Sequence, residues 1–526
     1  MKHALVTFTA CLFLSAGVSG ATADKPNIIF ILADDMGLGD VKCLGGETSK
    51  IATPHMDHIA KEGMVFSDAH TSSSVCTPTR YSIITGRYNW RSPKKSSVLG
   101  GISPPLIEAD RPTVARFMKN EGYVTGCIGK WHLGMNMPTT DGKAAFEQVK
   151  KGDGGKPLAP KATNIDWKGT ITGGPNANGF DYYYGISASL DMAPYIWIHN
   201  NKFVGECTIA KAFNRPGPAH ADFEAEDVLG IITRKSVEFI QANKDKPMFL
   251  YIPFSSPHTP IVPSKKWQGK SGLGAYGDFV METDWAVGEI VKAVDEAGLA
   301  ENTLIIVTAD NGCSPAARNG MEKIAFNGAK PEPIQPDVHY PSSIYRGHKA
   351  DLFEGGHRVP FIARWKGKVA AGKTNNETIC QVDLYATCAE LLGKHLSAKE
   401  GPDSVSILPH LLGTANGPLR EATVHHSING SFAIRKGPWK LLLSADSGGW
   451  SKPRPGKDSV KGLPPVQLFD LSKDPGETTN LQAEHPEIVA ELQALLTRYI
   501  KDGRSTPGEK QTNDGPERWR QIDWMK

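Results

Sequence analysis

The sequence predicts an α/β protein: a large mixed, mostly parallel sheet sandwiched by helices, with a smaller C-terminal α+β subdomain that bears an antiparallel sheet. Three observations predict this fold. Short, continuous apolar runs are typical of buried strands, amphipathic helical patterns lie between them, and the pattern changes after about residue 404. With 526 residues the chain is too long for one simple core.

Four apolar runs predict strands of the large sheet. They cover residues 28–33, 124–128, 248–254 and 304–307, and each ends in polar residues: Asp34-Asp35, Gly129-Lys130-Trp131-His132, Ser255-Ser256-Pro257-His258 and Asp310-Asn311-Gly312. Sites in parallel sheets form at the carboxyl ends of the strands. The four polar clusters therefore mark a candidate functional site.

Helical periodicity predicts helices over residues 227–242 and 278–297, with Gly298 as a C-cap of the second. Two segments predict long loops that could frame a substrate cleft: 151–179, which is rich in Gly, Lys and Pro, and 313–347, which is rich in Pro, Asn and Ser. In the C-terminal part, 432–443 and 467–471 are predicted as strands, 484–500 as a helix and 501–526 as an extended polar end.

The N-terminus is typical of a signal peptide. Lys2 precedes a nearly continuous apolar run over residues 4–18, and Ala21-Thr22-Ala23 forms a small-x-small cleavage site. The run is shorter than the roughly 20 residues of a spanning helix, so cleavage is favoured over a membrane anchor. The predicted organisation is a signal peptide (1–23), a catalytic domain (24–403) and a C-terminal subdomain (404–526), in a periplasmic or secreted protein.

Composition excludes several classes of protein. The chain is 40% hydrophobic and 22% charged, which is ordinary globular composition and not that of a disordered chain. A formal charge of +3 without a long Lys/Arg run argues against a nucleic-acid partner. No segment after the signal is apolar enough to span a membrane. Eight cysteines less Cys11 of the signal leave seven, an odd number, so at least one lacks an intramolecular disulfide partner.

The segment Cys76-Thr77-Pro78-Thr79-Arg80, followed by Thr85-Gly86, carries the strongest chemical signal. Pro78 suits the first turn of a helix, and Gly86 could end that helix. Cys76 would then lie at the positive end of the helix, which is a natural anion site, and Arg80 would face the same side. Taken alone, a buried free cysteine would be the more common explanation of Cys76.

This segment resembles the signature of the type I, formylglycine-dependent sulfatases, C-x-P-x-R followed by T-G; those arylsulfatase-like enzymes belong to the alkaline phosphatase superfamily. Thr79 departs from the Ser or Ala that is usual at the fourth position. Further blocks match the family in order: Ala33-Asp34-Asp35-Met36-Gly37, Gly129-Lys130-Trp131-His132-Leu133-Gly134, Pro257-His258, Asp310-Asn311-Gly312, and Lys349 before Glu354-Gly355-Gly356. Together they span roughly residues 27–365, and Leu468-Phe469-Asp470-Leu471 with Asp474-Pro475 resembles the family's end region.

The resemblance implies that a formylglycine-generating enzyme oxidises Cys76 during export. One hydroxyl of the hydrated aldehyde would attack sulfur, and the other would expel sulfate as the aldehyde re-forms. Asp34, Asp35, Asp310 and Asn311 offer hard oxygen ligands that favour Ca²⁺ or Mg²⁺ over zinc, and adjacent acids would repel without a cation. The resemblance implies Ca²⁺, held by these four residues and the modified Cys76, with Mg²⁺ as an alternative.

The resemblance also assigns the remaining catalytic roles. Arg80, Lys130 and Lys349 would surround the sulfate and offset its developing charge. His132 would deprotonate the second hydroxyl, and His258, together with Lys349, would protonate the leaving alcohol.

The substrate is less constrained, and a sulfated carbohydrate is the interpretation we adopt. Aromatic residues between 180 and 199 could stack on sugars or, equally, form core packing. Residues near the motif blocks or in the second long loop are candidate sugar contacts: Asp191, His339, Arg346 and His357. The identity of the sugar and the oligomeric state are not predicted.

Two alternatives stay open. A phosphodiesterase or phosphonate hydrolase of the same superfamily would share the fold, but enzymes with two metals need additional ligands, and here Lys130 and Lys349 stand where a second metal would act. A binding protein on a decayed sulfatase fold would have lost Cys76, Arg80 or a metal carboxylate, and none of these is lost.

Overall fold

The computed structural model describes residues 25–148, 162–328, 330 and 333–525. The predicted signal peptide, residues 1–23, and residues 151–161 of the first predicted loop lie outside this part of the chain. The β-strands are β1 (Asn27–Ala33), β2 (Met64–Phe66), β3 (Ala69–His70), β4 (Val124–Lys130), β5 (Glu147–Gln148), β6 (Ala162–Thr163), β7 (Tyr182–Ile186), β8 (Ile198–His199), β9 (Lys202–Phe203), β10 (Ile209–Phe213), β11 (Arg215–Ala219), β12 (Met248–Pro253), β13 (Thr303–Ala309), β14 (Phe361–Arg364), β15 (Lys373–Asn375), β16 (Ile379–Cys380), β17 (Thr423–His426), β18 (Phe432–Lys436), β19 (Trp439–Leu442) and β20 (Gln467–Asp470).

The α-helices are α1 (Lys42–Gly45), α2 (Pro54–Glu62), α3 (Cys76–Thr85), α4 (Val114–Asn120), α5 (Val228–Ala242), α6 (Ala275–Glu296), α7 (Glu354–His357), α8 (Leu384–Leu391), α9 (Leu408–Leu411) and α10 (Pro486–Asp502). Short 3₁₀ turns complete the secondary structure, among them Pro315–Asn319 within the second predicted loop. The four predicted strands and the two predicted helices are confirmed, and each strand lies within a few residues of its predicted bounds.

A ten-stranded sheet in the order β15-β2-β14-β13-β1-β12-β4-β7-β8-β9 forms the centre of the molecule. Its five middle strands, β13 to β7, are parallel to one another. The flanking strands β14 and β8 run antiparallel to them, and β15 pairs in parallel with β2 at one edge. The predicted mixed, mostly parallel sheet is therefore confirmed.

Both faces of this sheet are covered, which explains the continuous apolar runs in its strands. Along β1, Ile28, Phe30 and Leu32 join one core cluster, which includes residues of α3, α4 and α8. The alternate residues Ile29 and Ile31 join the opposite cluster, which includes residues of α2, α5 and α6.

The C-terminal part contains the predicted antiparallel sheet, in the order β17-β18-β19-β20. The prediction of one strand over residues 432–443 is wrong, because the chain reverses at Gly437, whose φ of 56° lies in the left-handed region that glycine tolerates. The predicted extended end is also wrong in part, since α10 continues to Asp502 and Arg520–Met525 forms a 3₁₀ turn.

The C-terminal sheet shares its core with the rest of the chain. Tyr88 and Trp90, which follow α3, are buried in the same cluster as Ile434 of β18 and Leu496 of α10. The division of the chain between residues 403 and 404 stays a prediction. Among the described residues, no helix is both long enough and apolar enough to cross a membrane.

Candidate active site

The predicted motifs meet at the carboxyl edge of the parallel strands. The loops after these strands are tied to one another by backbone hydrogen bonds: Asp34 N–H donates to the Ser256 carbonyl at 2.9 Å, and Asp310 N–H donates to the Ala33 carbonyl at 3.0 Å. A side chain on Gly312 would place its Cβ 1.9 Å from the Gly355 carbonyl oxygen, so glycine lets this loop approach the Glu354-Gly355-Gly356 block.

Helix α3 presents Cys76 at its first position, as predicted, and Gly86 ends it with a left-handed φ of 62°. The Cys76 side chain is buried, with 2% exposure. Its Sγ and one carboxylate oxygen each of Asp34 and Asp310 lie within 4.8 Å of one another. Thr79, the departure from the family signature, is accommodated because its hydroxyl donates to the Ser73 carbonyl at 2.8 Å.

Arg80 joins the helix to the acidic loops. Its Nε and Nη2 donate to Asp310 Oδ2 at 3.0 and 2.8 Å, and its Nη1 donates to the Lys130 carbonyl at 3.0 Å. These three hydrogen bonds fix the position of the guanidinium beside Cys76.

Two further cation–carboxylate pairs complete a charge-balanced cluster. Lys130 Nζ lies 2.6 Å from Asp34 Oδ2, and Lys349 Nζ lies 2.6 Å from Asp35 Oδ1. Burial opposes ionisation of Asp34, but Lys130, His258, Arg80 and Lys349 together hold its pKa far below the ordinary value. Burial, reinforced by the charge of Asp34, raises the pKa of Asp310 to about 7.

The same residues fit a hard divalent cation. Asp34 Oδ1 and Asn311 Oδ1 are buried and have no hydrogen-bond partner among the described residues. Asn311 Nδ2 donates to Asp35 Oδ1 at 2.7 Å, so its amide oxygen is left for another ligand. Unsatisfied buried oxygens next to a carboxylate with a raised pKa are the arrangement that a bound Ca²⁺ or Mg²⁺ would stabilise.

His132 is arranged as a proton acceptor. Its Nε2 lies 2.8 Å from the Leu99 carbonyl oxygen, which only accepts, so Nε2 carries the proton and Nδ1 keeps a lone pair. Nδ1 is buried without a partner among the described residues. Burial, with Lys130 nearby, holds the pKa of His132 well below its ordinary value and keeps the ring neutral. Its φ of 57° is rare for a non-glycine residue, and such strain is concentrated at functional sites.

His258 is the second histidine next to the carboxylates. Its Nδ1 lies 2.6 Å from the Thr259 carbonyl oxygen, and its Nε2 lies 3.6 Å from Asp35 Oδ2. Burial lowers the pKa of His258, and Asp35 opposes that shift. His258 and Lys349 are buried like the other predicted catalytic residues, although at 7% and 5% exposure they are the least deeply buried of the six.

Ser189 is a polar residue of the site that the sequence prediction missed. Its hydroxyl lies 3.3 Å from Lys130 Nζ and 3.2 Å from His258 Nδ1, so it joins two predicted catalytic groups. It follows β7, the fifth parallel strand, which lies in the aromatic segment 180–199 and is not among the four predicted strands. The rule that sites follow strand ends would have identified Ser189 if β7 had been predicted.

The predicted sugar contacts are less closely associated with this cluster. Asp191 follows Ser189 and lies 3.5 Å from Arg215, whereas Arg346 donates to the Glu477 carbonyl at 2.8 Å and stacks on Phe353. Their role in substrate binding stays a prediction. The aromatic residues of 180–199 pack on one another and on rings elsewhere in the core, for example Tyr184 on Trp197 and Trp197 on Phe223, with ring centroids 5.1 and 5.5 Å apart.

His339 and His357 are fully buried, and their ring nitrogens contact other protein atoms. His339 Nε2 lies 2.7 Å from Asp40 Oδ1, and its Nδ1 accepts from the Lys50 backbone N–H at 3.2 Å. His357 Nδ1 lies 3.0 Å from His70 Nδ1. These contacts do not support the predicted role of either ring in sugar binding.

His357 belongs to a second buried polar cluster, between the catalytic sheet and the C-terminal sheet. Its ring stacks on that of His425, with centroids 3.8 Å apart and an interplanar angle of 6°. Nitrogen lone pairs of two parallel stacked rings do not converge on one ion, and both nitrogens of His425 already contact Thr71 and Thr423. This cluster is therefore structural, although three histidines, His70, His357 and His425, approach one another.

Lys440 of β19 is the central cation of that second cluster. Its Nζ lies 3.0 Å from Glu354 Oε1 of α7 and 2.8 Å from Glu477 Oε1, and all three side chains are fully buried. Arg358 and Arg435 meet Asp68 at 2.8 and 2.7 Å. These ion pairs connect α7, which follows Lys349, to the C-terminal sheet.

The fold is of the alkaline phosphatase-like class, and the cluster of cations, histidines and Cys76 is typical of a hydrolase that acts on an anionic ester. Comparison with known proteins specifies the family. The sequence model of the Sulfatase family matches residues 26–394.

Two curated relatives are similar over almost their whole lengths. An N-acetylgalactosamine-6-O-sulfatase of Bacteroides thetaiotaomicron is 34% identical, over 91% of this chain and 94% of the relative. Arylsulfatase A of Homo sapiens is 30% identical, over 97% of this chain and 94% of the relative.

A solved structure concerned with the metabolism of multiple glycosaminoglycans by Bacteroides thetaiotaomicron is similar with a TM-score of 0.75 and 32% identity, over 90% of this chain and 99% of that one. This chain belongs to the sulfatase family, whose members are sulfuric ester hydrolases.

Proposed function

We propose that this protein releases sulfate from a sulfated carbohydrate, with Cys76 oxidised to formylglycine and a Ca²⁺ ion held by Asp34, Asp35, Asp310 and Asn311. The observation that carries the proposal is the position of Cys76, at the start of α3 and beside three carboxylate–cation pairs. Mg²⁺ satisfies the same oxygen ligands and is the alternative ion.

The oxygen atoms of Asp34 and Asn311 that lack partners support the metal part of this proposal. The ion would supply Lewis-acid stabilisation of the charged sulfate group and acidify a nearby hydroxyl. A hydrated aldehyde at position 76 would supply the nucleophilic hydroxyl and a second one for release of the product.

The protein's own side chains supply charge and proton transfer. Arg80, Lys130 and Lys349 are held in place by their carboxylates and would surround the transferred group, where fixed cations stabilise developing negative charge. His132 presents an unprotonated Nδ1 next to α3 and is suited to accept a proton. His258 would protonate the leaving alcohol, and the charge of Asp35 favours the protonated form of its ring.

For the substrate, we propose a 6-O-sulfated N-acetylgalactosamine, because the relative that acts on this sugar by its name is similar over almost the full length of both chains. The predicted signal peptide, residues 1–23, agrees with a periplasmic or secreted enzyme that acts on external polysaccharide. It also fits oxidation of Cys76 by a formylglycine-generating enzyme during export.

The test combines peptide mass with sulfate release. Protein is produced with and without a formylglycine-generating enzyme, and the peptide containing Cys76 is weighed; conversion lowers its mass by about 18 Da. Sulfate release should follow the converted fraction and disappear in Cys76→Ala, whereas Cys388→Ala, a buried cysteine of α8 outside the site, should retain it. Equal turnover of unconverted protein would contradict the formylglycine mechanism.

The sulfate and phosphate esters of one alcohol separate the proposal from the phosphodiesterase or phosphonate hydrolase alternative. We expect faster turnover of the sulfate ester, because lysines that pair with Asp34 and Asp35 occupy the surroundings of the metal site. Faster turnover of the phosphate ester by converted protein would favour the alternative.

A further inference from the structure

Trp450 is exposed on a loop that is otherwise held tightly against the catalytic part of the chain. Its side chain is 42% exposed, whereas aromatic side chains of this size are normally buried to a large extent. It lies in the Gly-, Pro- and Ser-rich connection between β19 and β20. We call residues 447–453 the Trp450 loop.

Buried Asp351 fixes the backbone of the Trp450 loop. Asp351 Oδ1 accepts from the backbone N–H groups of Trp450 and Ser451 at 2.7 and 2.9 Å, and its Oδ2 accepts from the Ser451 hydroxyl at 2.5 Å. Ser447 accepts from the Leu352 N–H at 2.8 Å. The exposed indole is thus carried by a rigid backbone, so little conformational freedom would be lost when it binds a ligand.

Close packing at Gly449 also holds the loop against this segment. A Cβ on Gly449 would lie 2.3 Å from the Ala350 carbonyl oxygen and 2.6 Å from Asp351 Oδ1. Any larger residue at 449 would push the loop away.

The segment that carries the loop is part of the active site. Lys349 binds Asp35, and the next residue, Ala350, donates its N–H to the carbonyl of Ser74 at 2.8 Å, two residues before Cys76. His348 contacts the Ser451 hydroxyl through its Nε2 at 3.2 Å. The Trp450 loop therefore packs against His348, Ala350 and Asp351, the residues that flank Lys349 of the site.

We propose that Trp450 forms a carbohydrate subsite next to the catalytic centre, in which its indole stacks on the sugar ring adjoining the sulfated one. This inference rests on the proposed function and specifies the substrate as an oligosaccharide rather than a free monosaccharide. The apolar C–H face of a pyranose ring matches an exposed indole, while the ring hydroxyls stay hydrated or bond to polar neighbours such as Ser451. Because Trp450 lies in the C-terminal part of the chain, that part would determine which sugar is accepted next to the sulfated one.

Binding to inactive protein tests the subsite independently of turnover. Calorimetry would compare full-length Cys76→Ala protein with its Trp450→Ala and Trp450→Tyr derivatives. The ligands are N-acetylgalactosamine 6-sulfate and a tetrasaccharide ending in that sugar. Leu463→Ala is the control, because Leu463 is similarly exposed, at 44%, in the same connection between β19 and β20.

We expect Trp450→Ala to weaken tetrasaccharide binding by about tenfold or more, the effect of losing about 1.4 kcal/mol. The loss for the monosaccharide should be clearly smaller. Trp450→Tyr should restore much of the affinity because it keeps an aromatic face, and Leu463→Ala should bind like the parent protein.

Three results would overturn the proposal: no binding of the tetrasaccharide, equal affinity with and without Trp450, or a change in oligomeric state on Trp450→Ala in place of a change in sugar affinity. Sulfate release from both sugars by formylglycine-containing protein with Cys76 intact is measured separately. Trp450-dependent binding without sulfate release would refute the proposed function and leave the subsite standing.

Discussion

Replacing Lys440 with methionine should destabilise the protein strongly. Lys440 is fully buried between Glu354 and Glu477, at 3.0 and 2.8 Å from their carboxylates. Methionine preserves most of the side-chain volume but removes the charge, so two buried carboxylates lose the cation they share. Breaking a buried ion pair from one side costs about 3–5 kcal/mol, because the remaining charge is neither solvated nor compensated.

The loss should depend on pH in a specific direction. Burial raises the pKa of Glu477 to about 7, above its unfolded value of 4.5, so protonated Glu477 stabilises the folded state at low pH and that contribution disappears as pH rises through 7. Without Lys440 the folded pKa of Glu477 rises further. The destabilisation by Lys440→Met should therefore be larger at pH 8 than at pH 5.5.

Urea unfolding followed by circular dichroism at both pH values measures this difference. Lys436→Met on the adjacent strand is the matched control, because Lys436 and Glu491 form a 2.7 Å ion pair with both side chains 43% or more exposed. Such an exposed pair contributes about 0–1 kcal/mol. If Lys440→Met lowers the free energy of unfolding no more than Lys436→Met does, the buried ion pairs do not stabilise the C-terminal sheet as the contacts indicate.

Three further predictions concern metal, proton transfer and pH. Ca²⁺ at about 100 times its Kd should raise the free energy of unfolding by about 2.7 kcal/mol, which a higher Tm would show. Asn311→Leu should remove most of that increase. An equal increase in the variant would contradict the assigned ligands. Ser189→Ala should lower kcat/KM about tenfold and displace the pH profile of kcat, because Ser189 is a positioning residue that orients Lys130 and His258. An unchanged pH profile, together with an unchanged circular dichroism spectrum, would assign Ser189 a packing role. Burial lowers the pKa values of His70, His357 and His425, so acidification below about 6.5 protonates these rings in the unfolded chain but not in the folded one. The free energy of unfolding should therefore fall by up to about 1.4 kcal/mol per pH unit for each ring. Protonation of Glu477 offsets part of this loss. His425→Gln should reduce that slope between pH 5 and 6.5 in urea unfolding, and an unchanged slope would show that the ring titrates normally.

Most residues of the catalytic cluster could be predicted because they lie at or just after the carboxyl ends of predicted strands. Asp34 and Asp310 come directly after buried apolar strands, and a parallel sheet brings such positions to one edge whatever their separation in the chain. Lys130 and His258 follow by the same rule. Cys76, Arg80 and Lys349 needed the motif, since the first two lie on a helix and Lys349 lies in a loop that no strand directly precedes.

Features without a local pattern could not be predicted. The reversal at Gly437 interrupts a run that is apolar on both sides, so periodicity alone indicates one strand where two are formed. The cluster around Lys440 joins residues as distant as Asp68 and Glu477, and no spacing in the sequence indicates that they meet. His339 and His357 were selected for their proximity in sequence to motif blocks, but their rings point into separate buried contacts.

If Cys76 is oxidised as proposed, its burial determines when the oxidation can take place. With 2% of its surface accessible at the start of α3, and with Arg80 and the acidic loops packed beside it, a second protein cannot reach the thiol once the sheet has closed. Under the proposed function, oxidation must therefore precede folding, and any molecule that folds first is permanently inactive although it is stable. The specific activity of a preparation would then depend on the rate of oxidation of Cys76 relative to the rate of folding, rather than on the catalytic rate of the modified enzyme alone.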